Sequence, residues 1–293
     1  MPSIREIVHR ISSVAATQQI TKAMKMVAAA KLNKIQRRVQ QLRVYAAELS
    51  AMLAQVISAL DQPLAQHYTQ ERPIRKLLLV VMTSDKGLCG SFNSLVLKKV
   101  TAHIHSWGTK SSVQTDLLVI GRKALSYFKK HRHHHQLITA YTDLANQVSF
   151  EPASQAATAV MDIFASHTYD RVELVYNNFI SVATQAVQIE QFLPIVPCPP
   201  TQGQTHPLNY LYEPSKAALV EELIPKSLTI QFCKALVASY AAEQGARMTT
   251  MGKATDNAEE LLKSLRITYN RSRQAAITNE IAEIVAGAEA LAV

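Results

Sequence analysis

The sequence predicts an α/β protein with an antiparallel coiled coil of long N- and C-terminal helices plus a central Rossmann-like α/β domain with a mostly parallel sheet. Three observations predict it. The first sixty residues carry an unbroken heptad pattern, the middle alternates short apolar runs with amphipathic segments, and helix-favouring sequence returns after Pro225. The implied divisions are 1–62 for the first helix, 73–195 for the α/β domain and 208–293 for the C-terminal helical region. At 48% hydrophobic and 18% charged, the 293 residues suffice for a real core.

In the first element, alternate steps of three and four from Ile4 lead through Ile7, Ile11, Val14, Gln18, Thr21, Lys25, Ala28, Leu32, Ile35, Val39, Leu42, Ala46, Leu49, Leu53 and Val56 to Leu60. Fourteen of these seventeen seam positions are apolar, and neither Pro nor Gly intervenes between Pro2 and Pro63. A helix of that length spans roughly 85 Å, and its 3.5-residue period predicts a left-handed supercoil with a second helix. The polar seam residues Gln18, Thr21 and Lys25 are consecutive. Two readings stay open: a register-setting polar layer, or a seam that opens locally toward something else.

Charge along this helix is one-sided. From Arg10 to Arg43 there are eight basic residues (Arg10, Lys22, Lys25, Lys31, Lys34, Arg37, Arg38 and Arg43) and no acid. A solvated face ordinarily mixes signs, because opposite charges four residues apart stabilise a helix. Together with the net charge of +9, the stretch points to an acidic partner.

Beyond the Pro63–Pro73 loop the period changes. Lys76–Thr83, Asp116–Ile120, Gln136–Ala140 and Arg171–Asn177 read as short buried strands. Ser94–Trp107, Arg122–His131 and Ser154–Ser166 read as the helices between them. Ala183–Phe192 alternates and reads as an antiparallel partner of the strand before it, while Pro194–Pro207, with five prolines, reads as a linker. From about Asn209 helix resumes, and Pro225 either kinks or ends it. A helix from Lys226 to Leu291 would span roughly 100 Å. Its middle is rich in small residues (Ala238 to Thr250) that admit a close neighbour, and its end carries Ile277, Ile281, Ile284, Ala288 and Leu291 on one stripe.

Catalytic signals are weak. Ser84–Asn93 (SDKGLCGSFN) joins a strand to a helix, but it is neither GxGxxG nor GxxxxGK[ST], and Lys86 precedes the glycines. It reads as a turn whose glycines supply unusual backbone angles. Cys89 has Lys86 nearby but no adjacent His or acid in sequence. His131, His133, His134 and His135 invite a metal reading, yet Lys129, Lys130 and Arg132 beside them give a basic helix end. No Ser-His-Asp, paired-carboxylate or HExxH pattern stands out. Cys89, Cys198 and Cys233 are far apart and odd in number, which fits a reducing compartment and no disulfide framework. No window approaches eighteen apolar residues, and the start MPSIREI has neither an apolar signal core nor a transit-like stretch.

Three blocks also carry a family resemblance. Ile20–Leu32 (ITKAMKMVAAAKL), Ser84–Asn93 and the run Ala246–Leu291 (beginning ARMTTMGKATDNAEELL) resemble the γ subunits of F-type ATP synthases, in order and along the whole chain. The resemblance implies a non-catalytic rotor without cofactor or nucleotide of its own, present once per complex. Its coiled coil passes up the axis of a hexamer of α and β subunits. Its lower end and α/β domain sit on the c-ring and bind the ε subunit, on the cytoplasmic face of a bacterial inner membrane. An acidic lever on each β subunit faces basic shaft residues, carried here onto Lys25, Lys31 and Lys34. The turn Lys86–Gly90, with Lys86 and Cys89, faces the same lever. Met24, Arg247, Gln274, Thr278 and Glu280 match shaft positions that influence coupling. Two departures are visible: Cys198 stands alone where chloroplast relatives insert a regulatory cysteine pair, and Ser91 replaces a second glycine in the turn.

Two other function classes compete. A basic coiled-coil protein binding nucleic acid explains the +9 charge, but not the near balance of Lys226–Val293, with eight basic and seven acidic residues. A nucleotide-dependent enzyme would place its ligand on residues 73–195, where no phosphate fingerprint occurs.

Overall fold

Six consecutive buried residues in β1 (Lys76–Met82) and six in β2 (Gln114–Ile120) identify strands covered on both faces. A computed structural model describes residues 3–58, 68, 70, 72–110, 113–131, 135–146, 148–182, 184–195 and 216–291. Cys198, His133, His134, the linker beyond residue 195 and most of the Pro63–Pro73 loop lie outside the described residues. In chain order, α1 (Ile4–Ser58) and β1 are followed by α2 (Phe92–Lys110), β2 and α3 (Arg122–Lys130). Next come β3 (Leu137–Ile138), a 3-10 turn (Thr142–Ala145) and α4 (Phe150–Ala165). β4 (Arg171–Phe179), β5 (Gln185–Leu193) and α5 (Lys216–Leu291) complete the fold.

Two units are distinguished: Met1–Ala28 with Met248–Val293, and Ala29–Arg247. The larger one holds the sheet, ordered β3-β2-β1-β4-β5. β1 pairs in parallel with β2 and β4, β2 with β3, and only β5 runs antiparallel, against β4. Strand alternation sorts the core. Leu78, Val80, Met82, Leu118, Ile120 and Leu174 pack with Ala156, Val160 and Phe164 of α4 and with Ile224, Leu228, Phe232 and Leu236 of α5. Leu77, Leu79, Val81, Leu117 and Val119 face Val96 and Val100 of α2 and Phe128 of α3. Polar ends are satisfied as the sheet begins: Asp170 accepts the Arg75 and Lys76 N–H groups at 2.8 and 2.9 Å. Buried Asp116 accepts from the Gln136 N–H and the Tyr169 hydroxyl.

The α/β architecture and the long terminal helices match the sequence expectation, and the differences are local. The first helix of the α/β domain, α2, starts two residues earlier than its amphipathic pattern, at Phe92, which is buried. The third strand shrinks from the expected Gln136–Ala140 to Leu137–Ile138, because it pairs with β2 through only two residues. α5 continues through Pro225 without ending there. Flanking Ile224 and Leu228 are buried, so packing holds the helix where one backbone bond is missing.

In the smaller unit the two helices run antiparallel. Thr255 donates to the Thr21 hydroxyl at 2.9 Å, and Thr21 donates to the Gln18 carbonyl at 3.0 Å. One turn along, a β-carbon built on Gly252 would lie 3.6 Å from the Lys25 ammonium. The polar seam is therefore bridged here from helix to helix, as a register-setting layer is.

Candidate partner-binding surface

β1 ends at Met82 and the chain turns through Thr83–Ser91 into α2. The turn is secured from beneath. Thr83 donates its N–H to the Ile120 carbonyl at 2.9 Å, and its Oγ1 accepts the Ala124 N–H at 3.1 Å. Gly121 at φ 97 is obligatory beside it, since a β-carbon there would lie 2.2 Å from the Thr83 carbonyl oxygen. Ser84 gives its N–H to Asn93 Oδ1 at 3.0 Å and its hydroxyl to the Lys86 carbonyl at 2.8 Å. Asn93 Nδ2 donates to Ser84 Oγ at 2.8 Å and to Cys89 Sγ at 3.2 Å. Asp85 accepts the Arg122 N–H at 2.9 Å and a close bond from Asn146.

From α5 a guanidinium reaches the same turn. Arg247 Nη1 donates to the Gly87 carbonyl at 2.6 Å, and Nη2 lies 3.5 Å from that of Lys86. Glu243, one helical turn earlier and also buried, takes the other side of Nη2. Burial pushes the Glu243 carboxyl above the ordinary range, with the negative charge of Asp85 adding to it; Arg247 and Lys31 pull it down. Burial likewise raises the Cys89 thiol, so the buried sulfur stays protonated and packs in the core instead of facing outward.

Cys89 belongs to a cluster with Phe92, Phe179, Leu32, Ile35 and Val39 of α1, and Val237, Ala241 and Ala242 of α5. This cluster lies at the carboxyl ends of β1 and β4, the switch point where open α/β sheets hold ligands. The chain's own helices fill it. Gly245 belongs to the same approach, with Phe179 only 3.3 Å from where its β-carbon would be.

The sequence-predicted residues fall into two groups. In the larger unit, Lys31, Lys34 and Lys86 are exposed, whereas Cys89 and Arg247 are buried together around the turn. In the smaller unit, Met24 is half-buried and Lys25, Gln274, Thr278 and Glu280 are exposed. Thr278 donates to the Gln274 carbonyl in its own helix. Sequence reasoning missed Glu243, although an acid four residues before an arginine in AAEQGAR was a visible signal. It also missed Leu88, which stands 63% exposed at φ 65. A left-handed backbone at a non-glycine costs about 1–2 kcal/mol.

Elsewhere, His131 and His135 lie 3.0 and 2.6 Å from backbone carbonyls of Tyr127 and Thr115. Among the described residues no group of three His, Cys, Asp or Glu is placed to hold a metal, and no helix is long and apolar enough to cross a membrane.

The sequence profile of the family described as ATP synthase matches residues 3–291. An ATP synthase gamma chain of Amoebophilus asiaticus is 60% identical over 291 residues, 99% of each chain. One of Cytophaga hutchinsonii is 46% identical, again over 99% of each. Among solved structures, a chain of the Tetrahymena thermophila mitochondrial ATP synthase central stalk and c-ring is 26% identical, with TM-score 0.57 over 80% of this chain and 99% of that one. A chain of the Euglena gracilis mitochondrial enzyme shares the fold at TM-score 0.67 and 21% identity, covering 98% and 94%. With such agreement from end to end, the chain belongs to the ATP synthase gamma chain family.

Proposed function

We propose that the chain is the central-stalk rotor of an F-type ATP synthase: it transmits rotation of a c-ring to three catalytic β subunits, cycling them through conformations that make ATP. The full-length family match carries this reading. The protein itself is non-catalytic. It stands once per complex, peripheral to the membrane on the bacterial cytoplasmic side, with the α/β hexamer, ε and the c-ring as its partners.

The geometry accounts for the mechanics. Paired helices resist twist, and apolar side chains exposed toward the end of α5, at Ile277, Ile281 and Ile284, suit a bearing because nonpolar contacts are non-directional. Lys31, Lys34 and Lys86 supply angle-dependent attraction to an acidic lever, weakened by salt where exposed. Met24, Lys25, Arg247, Gln274, Thr278 and Glu280 tune coupling, Arg247 from within and the others along the smaller unit. The test is a complex carrying Lys31→Glu and Lys34→Glu. ATP-driven proton pumping per ATP hydrolysed should drop with assembly intact; unchanged pumping would sink the lever assignment. Failure of the wild-type chain to copurify in one copy with three α and three β subunits would sink the rotor reading itself.

A further inference from the structure

The side chains around Cys89 do not fill all the space between the helices of the larger unit. Beside them lies a cavity of about 470 Å³, lined by α1, the start of α4 and α5. Small-molecule sites span roughly 300–1,000 Å³. α4 is the crossover from β3 to β4, so its first turn stands at the carboxyl end of the parallel strands, where open α/β sheets take ligands. The lining is graded. Ala153 of α4 and Leu236 and Val237 of α5 are buried and apolar, and Cys233 adds a neutral thiol. Arg38, Tyr45 and Phe150 are exposed and mark the mouth. Among the described residues of the lining Arg38 alone is charged, and it takes part in none of the ion pairs formed among the described residues. Ser149, also in the lining, precedes α4 without a side-chain capping bond, so it leaves the first-turn N–H groups uncapped. An unpaired guanidinium and a positive helix end thus share one mouth. Glu151 of that turn is exposed and outside the lining.

We propose that this cavity binds a fatty-acid-like anion, with its hydrocarbon tail among Leu42, Ala153, Leu236 and Val237 and its carboxylate at the mouth beside Arg38. The walls select this chemistry. Aliphatic side chains and a neutral thiol suit a tail that has no hydrogen bonds to satisfy, whereas a polar group taken inside would be left without partners. At the mouth the carboxylate stays partly hydrated and accepts from the guanidinium, which offers paired N–H donors. Because three helices line the cavity, a bound chain strengthens their packing and stabilises the folded protein. The site belongs to the chain alone and stands whether or not the rotor reading holds.

The experiment uses the full chain, with dodecanoate as the probe, titrated calorimetrically below the concentration at which it forms micelles. A single dodecanoate per chain is expected. Affinity should rise about fourfold per added methylene from octanoate upward and level off once the cavity is full. A rise that continues through hexadecanoate, or many molecules bound per chain, would reveal adsorption to exposed apolar surface and overturn the cavity. Dodecanol, with the same tail and no charge, should bind about tenfold more weakly. Arg38→Gln should lose that tenfold for dodecanoate and leave dodecanol unchanged, while Arg38→Lys keeps most of it. Arg38 is exposed, so both variants should fold, and their ligand-free thermal transitions check this. Equal dodecanoate affinity in wild type and Arg38→Gln overturns the role of Arg38, and no binding overturns the proposal. A diazirine-bearing dodecanoate should attach within 38–45, 148–153 or 233–237; attachment elsewhere overturns the site.

Discussion

The two units spend their apolar residues differently. In the larger one every strand residue of β1 after Lys76 is buried, and helices close on both faces of the sheet. In the smaller one Val8, Ile20, Met26, Val27, Leu261, Ile267, Ile277, Ile281, Ile284 and Val285 are all exposed, and beyond Leu262 no described residue is buried. Apolar side chains left exposed in this number are available to a partner. The larger unit is stabilised by its own core, while the smaller one buries Ile7, Ala28, Met251, Ala258 and Leu262 and leaves many of its large apolar side chains exposed.

The comparison breaks first if the larger core is not decisive. Phe164 is fully buried against the sheet, so Phe164→Ala should cost about 3–5 kcal/mol. Trp107, the chain's single tryptophan, sits in the larger unit and reports its unfolding by fluorescence. A loss under about 1 kcal/mol would show a core that collapses freely around the gap.

Cys233 sharpens the same point by pH. Burial alone raises its thiol from 9.0 to about 11. The sign follows: below pH 9.0 the thiol is neutral whether folded or not, and its contribution is fully present. As pH rises toward 11 the unfolded chain ionises first, and roughly 2–3 kcal/mol is lost. Cys233→Ala should therefore lose less stability than wild type across that window in Trp107-monitored denaturation. Parallel curves would mean the sulfur is better solvated than its burial implies.

Much of this was legible in the residues. Continuous apolar runs gave the buried strands, and the heptads gave α1, because periodicity records which face a side chain takes. What it does not record is the partner. Thr21 and Lys25 were visible as polar seam positions, but only pairing with Thr255 and Gly252 resolves them. Cys89 and Lys86 are three apart in one turn, yet one is buried and the other exposed, since irregular backbone has no period. The clamp joins Arg247 to Gly87 across 160 residues, and no local pattern encodes that distance.

Within the smaller unit the Thr21–Thr255 bond is a polar contact between the helices, and Thr255→Val removes its donor. A typical hydrogen bond contributes about 1 kcal/mol net. Helical circular dichroism should melt earlier by that amount, while the Trp107 transition stays in place. Movement of both signals together would show the units to be one cooperative system.

Ile281→Ala carries the smallest effect on the chain and says most about its purpose. A buried isoleucine cut to alanine costs about 2–5 kcal/mol, but Ile281 is 56% exposed on a helix with no buried neighbour nearby. Alanine is also the better helix former, so the free chain should change by under about 0.5 kcal/mol, with helicity equal or slightly higher. In the assembled complex the same truncation removes apolar surface that the hexamer would cover, and the chain should dissociate faster. A loss above about 1 kcal/mol in the free chain would mean this stripe is already covered within the chain. Equal dissociation rates with a silent free chain would leave the exposed isoleucines without a bearing to line.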